Sequence, residues 1–151
     1  MNPIRLAVMA SVLIVALSAG CSSKTTKSLA GTDENLRESR WSATYTRSGE
    51  SIPLTLILMT PEKPGPFRLV ALSAFGATLG DCLVKNGRGK CRNAPGADGL
   101  MRQISEAAEA LLNQEAALSP GFSGWQAGRN PQGIVECRKS SGETLVMKEM
   151  K

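Results

Sequence analysis

The sequence contains no histidine among its 151 residues. This absence excludes Ser–His and Cys–His nucleophile pairs and a histidine general base. No Cys-x-x-Cys spacing is present either, so a zinc site is not expected. The stretch 121–125, Gly-Phe-Ser-Gly-Trp, ends in tryptophan where a nucleophile elbow requires glycine. We therefore predict a non-catalytic protein that uses neither a metal ion nor another cofactor.

Aromatic residues are also scarce, at 4% of the chain, and the formal net charge is a modest +5. The only local cluster of cations consists of Lys85, Arg88, Lys90 and Arg92. Such a cluster could contact phosphate or anionic lipid. We interpret it as a set of solvated charges on an exposed hairpin, because charged runs usually keep a surface wet. No aromatic residues are interleaved with these cations, so a nucleic-acid partner is not expected.

The first 20 residues have the pattern of an export signal. One cation, Arg5, precedes an uninterrupted apolar run from Leu6 to Leu17. A run of ~12–14 residues is short for a transmembrane helix, which needs ~20. An ordinary signal peptide and a single membrane span are the alternatives to a lipoprotein signal. The small residues at 18–20 before Cys21 favour cleavage by a lipoprotein signal peptidase.

Cys21 is therefore the predicted lipidation site, where the thiol takes a diacylglycerol carrying acyl chains such as palmitate. We predict a signal peptide over 1–20, a flexible tether over 21–31 and one domain over 32–151, a usual size for a domain. Ser22 follows the cysteine, and aspartate is absent there. The residue after the cysteine thus resembles that of enterobacterial sorting signals for the outer membrane. We therefore expect the protein on the outer membrane, facing the periplasm. The expected partner is thus a membrane of the bacterial cell envelope.

Three further cysteines, Cys82, Cys91 and Cys137, would lie in an oxidising compartment, where they cannot all pair within one molecule. The dipeptide Asn86-Gly87 is a strong signal for a two-residue type I′ hairpin turn. A turn there places Cys82 opposite Cys91 in a non-hydrogen-bonded pair, with Cα atoms ~4.5 Å apart. That distance is within the range of a disulfide. We predict this disulfide and a buried Cys137, with a reduced pair or a bridge to Cys137 as alternatives.

Alternating and apolar runs predict an α+β domain. A meander of about five antiparallel strands is followed by an amphipathic helix beginning at Asp98 and then by two more strands. The run Ile52–Met59 is nearly all apolar, so it is expected to be covered on both faces or to line a cavity. The segment with Phe122 and Trp125 is a predicted loop. The predicted strands are 41–47, 52–59, 67–73, 77–85, 88–92, 133–139 and 143–150, and the predicted helices are 98–118 and a short one over 32–40.

The segment 67–81, Phe-Arg-Leu-Val-Ala-Leu-Ser-Ala-Phe-Gly-Ala-Thr-Leu-Gly-Asp, resembles the central hairpin of the outer-membrane lipoprotein insertase (LolB-like) family. It also resembles a related family of small lipoproteins of unknown function. These families share an aliphatic strand, an Asn/Ser-Pro-Leu-Gly-like turn and a second strand. Here Ala74 replaces the proline and Phe75 the leucine. The similarity extends over about residues 41–118, and the C-terminal part is shorter than in the insertases.

This resemblance implies a curved antiparallel sheet, an incomplete barrel, covered by one long and one short helix around an apolar cavity. Phe75 would protrude from the hairpin turn and contact membrane; the alternative is that it folds back into the core. The implied cavity-lining residues are Leu54, Leu56, Leu58, Leu69, Ile104 and Leu111.

Two functions follow from these patterns. The first is a membrane-anchored lipoprotein that binds or transfers a lipid or another apolar ligand. The second is a structural or accessory lipoprotein of an envelope complex, with a protein partner, a filled core and no ligand.

Overall fold

The computed structural model describes residues 35–115 and 124–151. Apolar residues alternate with polar ones along most of these segments, which favours strands with one buried face. One segment instead repeats its apolar residues at helical spacing. The elements are β1 (Leu36–Arg47), β2 (Glu50–Pro61), β3 (Phe67–Ser73), β4 (Thr78–Lys85), β5 (Arg88–Asn93), α1 (Asp98–Glu115), β6 (Trp125–Arg129), β7 (Val135–Lys139) and β8 (Thr144–Glu149).

The eight strands form one antiparallel sheet in the order β5-β4-β3-β2-β1-β8-β7-β6. The first five strands form a meander that extends to one side of β1, as predicted. The last three strands extend to its other side, and β8 pairs with β1. The end strands β5 and β6 each have one neighbour, so the sheet is open. The α+β class is confirmed.

The β4–β5 hairpin has the predicted register. Asn86 and Gly87 both adopt positive φ, at 50° and 75°, as a type I′ turn requires. Lys85 consequently pairs with Arg88, and Cys82 with Cys91. A two-residue turn with positive φ at both positions determines the register, because it leaves no additional loop residue that could shift the pairing of the two strands.

Helix α1 covers the face of the sheet that we call the inner face. Its apolar side buries Met101, Ile104, Ala107, Ala108 and Leu111. These residues join one core cluster with the inward side chains of the strands, such as Leu56, Leu69 and Leu145. The helix contacts β4 and β5 at one end of the sheet and β6 and β7 at the other end.

Two predicted elements of secondary structure are wrong. The short helix over 32–40 is not formed in its described part, because residues 36–40 belong to β1 and pair with the end of β2. The predicted loop around Trp125 contains β6, which pairs with β7. One helix is therefore present among the described residues. The predicted signal peptide, Cys21 and the tether lie outside them.

The apolar strand β2 is covered on one face only. Leu54, Leu56 and Leu58 are buried on the inner face, whereas Thr55 and Ile57 between them are half-buried on the opposite, outer face. The alternative in which this strand is covered on both faces is therefore wrong. Its apolar outer side chains contribute to the exposed side of the sheet.

Candidate functional site

The six residues predicted to line an apolar cavity lie together, as expected, but they form packed core. Leu56, Leu69 and Ile104 have no exposed surface, and the other three are at most 4% exposed. All six belong to the cluster between the sheet and α1. In the described part of the chain, the space that the resemblance assigns to acyl chains is occupied by the protein's own side chains.

A small pocket lies between α1 and the β4–β5 hairpin. Its volume is about 270 Å³, and the absence of a side chain at Gly89 leaves this space open toward the helix. Oγ of Ser105 and Oδ1 of Asn93 are buried there, and neither has a hydrogen-bond partner among the described residues. Ligand pockets are predominantly apolar and typically ~300–1,000 Å³. The small size and the charged side chains around the pocket therefore suit water or a small polar group rather than an acyl chain.

The rim of this pocket is mainly acidic. Glu109 accepts a 2.7 Å hydrogen bond from the backbone N–H of Gly87 and thereby joins the hairpin turn to the helix. Asp98 accepts a 2.9 Å bond from the side-chain amide of Asn93. Neither Ser105 nor Asn93 was predicted from the sequence to be a site residue. The only available signal was the Gly87-x-Gly89 pattern opposite a polar helix face.

A second, smaller pocket of about 130 Å³ lies at the other end of α1. Leu58 and Leu111, two of the predicted ligand-binding residues, form part of its wall together with Trp41. The remaining wall includes Arg37 and Arg129 and is largely polar. This space is too small and too polar to accommodate an acyl chain.

Phe75 is the most exposed large apolar side chain in the described structure, with 98% of its surface accessible. It lies at the tip of the β3–β4 hairpin, and the alternative that it folds back into the core is wrong. The turn is held by Ser73, whose backbone carbonyl accepts from Gly76 N–H at 2.9 Å and whose Oγ accepts from Ala77 N–H at 3.1 Å. Gly76 has a φ of 80°, which glycine adopts without strain. The backbone of the turn thus holds Phe75 away from the domain.

The predicted disulfide between Cys82 and Cys91 is confirmed, with Cα atoms 4.0 Å apart. Cys82 is completely buried on the inner face, and Cys91 packs against the same core. The bridge therefore attaches the end strand β5 to the core beneath α1.

Cys137 is free and fully buried, as predicted. Its Sγ lies 3.7 Å from the carbonyl oxygen of Ala107 in α1, to which the thiol donates. Burial, and secondarily the charge of Glu136, raises the pKa of this thiol to about 12. A thiol with this pKa has almost no thiolate at neutral pH, so Cys137 is not a nucleophile in the folded protein.

The outer face of β3 and β4 carries one bidentate ion pair. Nε and Nη2 of Arg68 donate to the two carboxylate oxygens of Asp81 at 2.8 and 2.5 Å. This hydrogen bonding holds the pKa of Asp81 below its ordinary value. Asp81 is thus an ionised structural partner of Arg68.

Residues 35–115 and 124–151 contain no group of three or more His, Cys, Asp or Glu side chains that could hold a metal ion. In the same segments, no helix is long and apolar enough to cross a membrane. The chain matches no protein-family model, and no curated protein matches it in sequence. The resemblance to the insertase-like family therefore depends on the residues around the β3–β4 hairpin.

Proposed function

We propose that this protein is a non-catalytic accessory lipoprotein of the bacterial cell envelope. Lipid on Cys21 would attach it to the periplasmic side of the outer membrane, and its folded domain would contact partners through its surface. The observation that carries this proposal is the filled space between α1 and the sheet. A lipid chain could enter only by displacing side chains such as Leu56, and re-exposing one buried leucine costs ~1.5–3 kcal/mol.

A second candidate function is contact with lipid at the surface, and the exposure of Phe75 favours it. Transfer of a fully exposed phenylalanine into an apolar environment contributes ~1.5–3 kcal/mol. The turn around Ser73 already holds the side chain outward, so little ordering is needed on contact. In this case the protein would bind or transfer a lipid at the hairpin tip rather than inside the domain.

The finer architecture belongs to the same proposal. Contacts of one helix with both ends of an eight-strand sheet support a curved sheet that wraps partly around α1. We propose the incomplete barrel of the insertase-like family, with its interior filled. A barrel filled in this way suits a surface-binding protein better than a carrier.

The lipid anchor is tested by Cys21→Ser in the full chain expressed in a bacterial host with an outer membrane. We expect loss of the acyl mass from the mature protein and its movement from the membrane fraction to the soluble periplasm. Cys137→Ala is the matched control, because it removes a thiol without removing the predicted anchor. Unchanged membrane fractionation of Cys21→Ser would refute the lipoprotein proposal.

The two candidate functions are distinguished by a photoreactive amino acid at position 75 in intact cells. Crosslinks to one protein of defined mass would support the accessory role, whereas crosslinks to lipid alone would support lipid contact. The same group at Leu36, which is 47% exposed, is the control for general surface exposure. A lipid that co-purifies with the protein and remains bound in Phe75→Ser would contradict lipid contact at the hairpin tip, because the lipid would then be held elsewhere on the protein.

A further inference from the structure

Four cations project from the outer face of the β4–β5 hairpin. Val84 and Cys82 are buried on the inner face, so Lys85 points outward. The register then places Arg88 opposite Lys85 on that outer face. Alternation along β5 gives the same direction to its other two cations. The four exposed residues, here called the basic face, are Lys85, Arg88, Lys90 and Arg92.

The charge of the basic face is only partly offset nearby. Asp81 is the only acidic residue in β3, β4 and β5; it lies opposite Arg92 in the β4–β5 pairing, and both of its carboxylate oxygens accept hydrogen bonds from Arg68. None of the four cations forms an ion pair within residues 35–115 and 124–151. Arg40 and Arg138, by contrast, each lie 2.9 Å or less from a carboxylate. The local excess of positive charge is therefore available to an external anion.

The geometry of this face suits an extended anionic surface rather than one small anion. Side chains on one face of a strand repeat every ~6.6 Å, and neighbouring strands are ~4.8 Å apart, so the four cations form a ladder and do not converge on a point. Both pockets described above lie against α1, away from this face. Strands β4 and β5 carry no aromatic residue for base stacking, which disfavours single-stranded nucleic acid.

Apolar groups accompany the cations. Leu83, which pairs with Lys90 on the same outer face, is 42% exposed. Phe75 extends from the other end of β4. Cations around exposed apolar side chains are the combination that binds the headgroup region of an anionic bilayer.

We propose that the basic face binds a lipid surface bearing anionic headgroups and so gives the domain a membrane contact separate from the anchor. The choice of a lipid surface as the binding partner rests on the proposed envelope location, whereas the availability of the basic face to an anion does not. The attraction acts over a Debye length of ~8–10 Å at physiological salt, so it orients a domain already close to the bilayer. With β4 and β5 against the membrane, the opposite end of the sheet remains accessible to a partner.

The test uses the mature chain, residues 21–151, carrying Cys21→Ser so that no acyl group contributes. This chain includes all of the compact unit Glu34–Lys151. Vesicles of phosphatidylcholine with 30% phosphatidylglycerol are compared with pure phosphatidylcholine by co-sedimentation at 50 and 500 mM salt. We expect binding to the anionic vesicles alone, and its loss at high salt.

The variant K85Q/R88Q/K90Q/R92Q should bind the anionic vesicles on the order of 500-fold more weakly, since each of the four cations near an anionic surface contributes about a fivefold factor. The matched control, R40Q/R47Q/R138Q/K148Q, removes the same charge from exposed cations elsewhere and should lose far less. Circular dichroism checks that both variants remain folded.

Equal losses in the two variants would overturn the proposal, because net charge alone would then explain binding. Absence of wild-type binding to the anionic vesicles would also overturn the proposal. If the wild-type protein then bound polyglutamate instead, the basic face would be assigned to an acidic protein partner. A negative vesicle result would not bear on acylation of Cys21. Absence of acylation would likewise not change the vesicle result, so the two proposals are tested separately.

Discussion

Gly80 in β4 lies directly against Met101 in α1: a Cβ atom on residue 80 would fall 2.6 Å from Cγ of the methionine. Oδ1 of Asn93 would be equally close. Met101 is completely buried, so its side chain cannot move toward solvent without leaving the core. The helix can therefore pack this closely against the strand because residue 80 has no side chain.

Gly80→Ala should destabilise the domain by about 1–3 kcal/mol, the usual effect of adding a methyl group to a packed core. Urea denaturation followed by circular dichroism measures this loss. Gly99→Ala in α1 is the matched control, since no atom lies within 4 Å of its added Cβ. We expect that variant to match the wild type or gain up to ~1 kcal/mol, because alanine favours helix. A Gly80→Ala variant of wild-type stability would show that Met101 repacks freely.

Loss of the Cys82–Cys91 bridge should lower the free energy of unfolding by about 2–3 kcal/mol. The bridge closes a short loop, and without it the unfolded chain gains conformational entropy worth about that much free energy. The double variant Cys82→Ala/Cys91→Ala and the reduced wild-type protein are compared with the oxidised protein in urea. Cys137→Ala keeps the bridge and is the control for loss of a buried cysteine. Equal denaturation midpoints for oxidised and reduced wild-type protein would contradict the expectation.

The Cys137 thiol should be inert in the folded protein. With its pKa raised to about 12 by burial, the thiolate is a very small fraction at pH 8. In the chain with Cys21→Ser, a disulfide exchange reagent such as dithionitrobenzoate should therefore detect no thiol in native buffer and one thiol in 6 M guanidinium. Rapid reaction in native buffer would mean that β7 opens locally from α1.

The Arg68–Asp81 pair should make the stability depend on acidity. The pKa of Asp81 is lowered by its hydrogen bonds to Arg68, so the pair stabilises the fold above the ordinary pKa of the carboxyl. That contribution is lost as the pH falls through the lowered pKa. Asp81→Asn should cost ~1 kcal/mol or less at pH 7, because Arg68 is half exposed.

Urea midpoints of wild type and Asp81→Asn should therefore converge as the pH falls below the ordinary pKa of the carboxyl and through its lowered value. Glu38→Gln, which removes the carboxylate from another exposed arginine pair, is the control for loss of one surface charge. A difference between wild type and Asp81→Asn that is constant from pH 7 to pH 2 would show that the carboxylate contributes through packing rather than charge.

The hairpin between β4 and β5 was predictable because its determinants are local. Asn86 and Gly87 tolerate the required φ values, and the turn then fixes which cysteine faces which. Helix α1 was predictable for a similar reason, since its apolar spacing and its N-terminal Asp98 lie within one segment. In both cases the sequence signal and the structural constraint occupy the same short stretch.

The start of β1 and the whole of β6 depend on distant partners. Residues 36–40 are exposed or half-buried and show no apolar alternation, so only pairing with β2 makes them a strand. Strand β6 has five residues, with Trp125 as its single large buried side chain. Its extended conformation follows from pairing with β7.

The interior was predictable in its residues but not in its form. Strand alternation for Leu56 and Leu69, and helical spacing for Ile104, direct these side chains toward one core. Whether such an interior is hollow or filled depends on how closely α1 approaches the sheet. That distance is set by contacts such as Gly80 against Met101, which neither strand nor helix periodicity encodes.

The position of β1 in the sheet has a consequence for how the chain folds. Its neighbour β2 follows immediately in sequence, but its other neighbour is β8, so Trp41 pairs with Glu149 near the opposite end of the chain. Pairing over such a separation carries a large loop-closure entropy and tends to be slow. We expect the meander and α1 to assemble first, leaving one side of β1 unpaired until the last strand arrives. During that interval the exposed edge of β1 is open to pairing with other chains, so aggregation is favoured most before β8 docks.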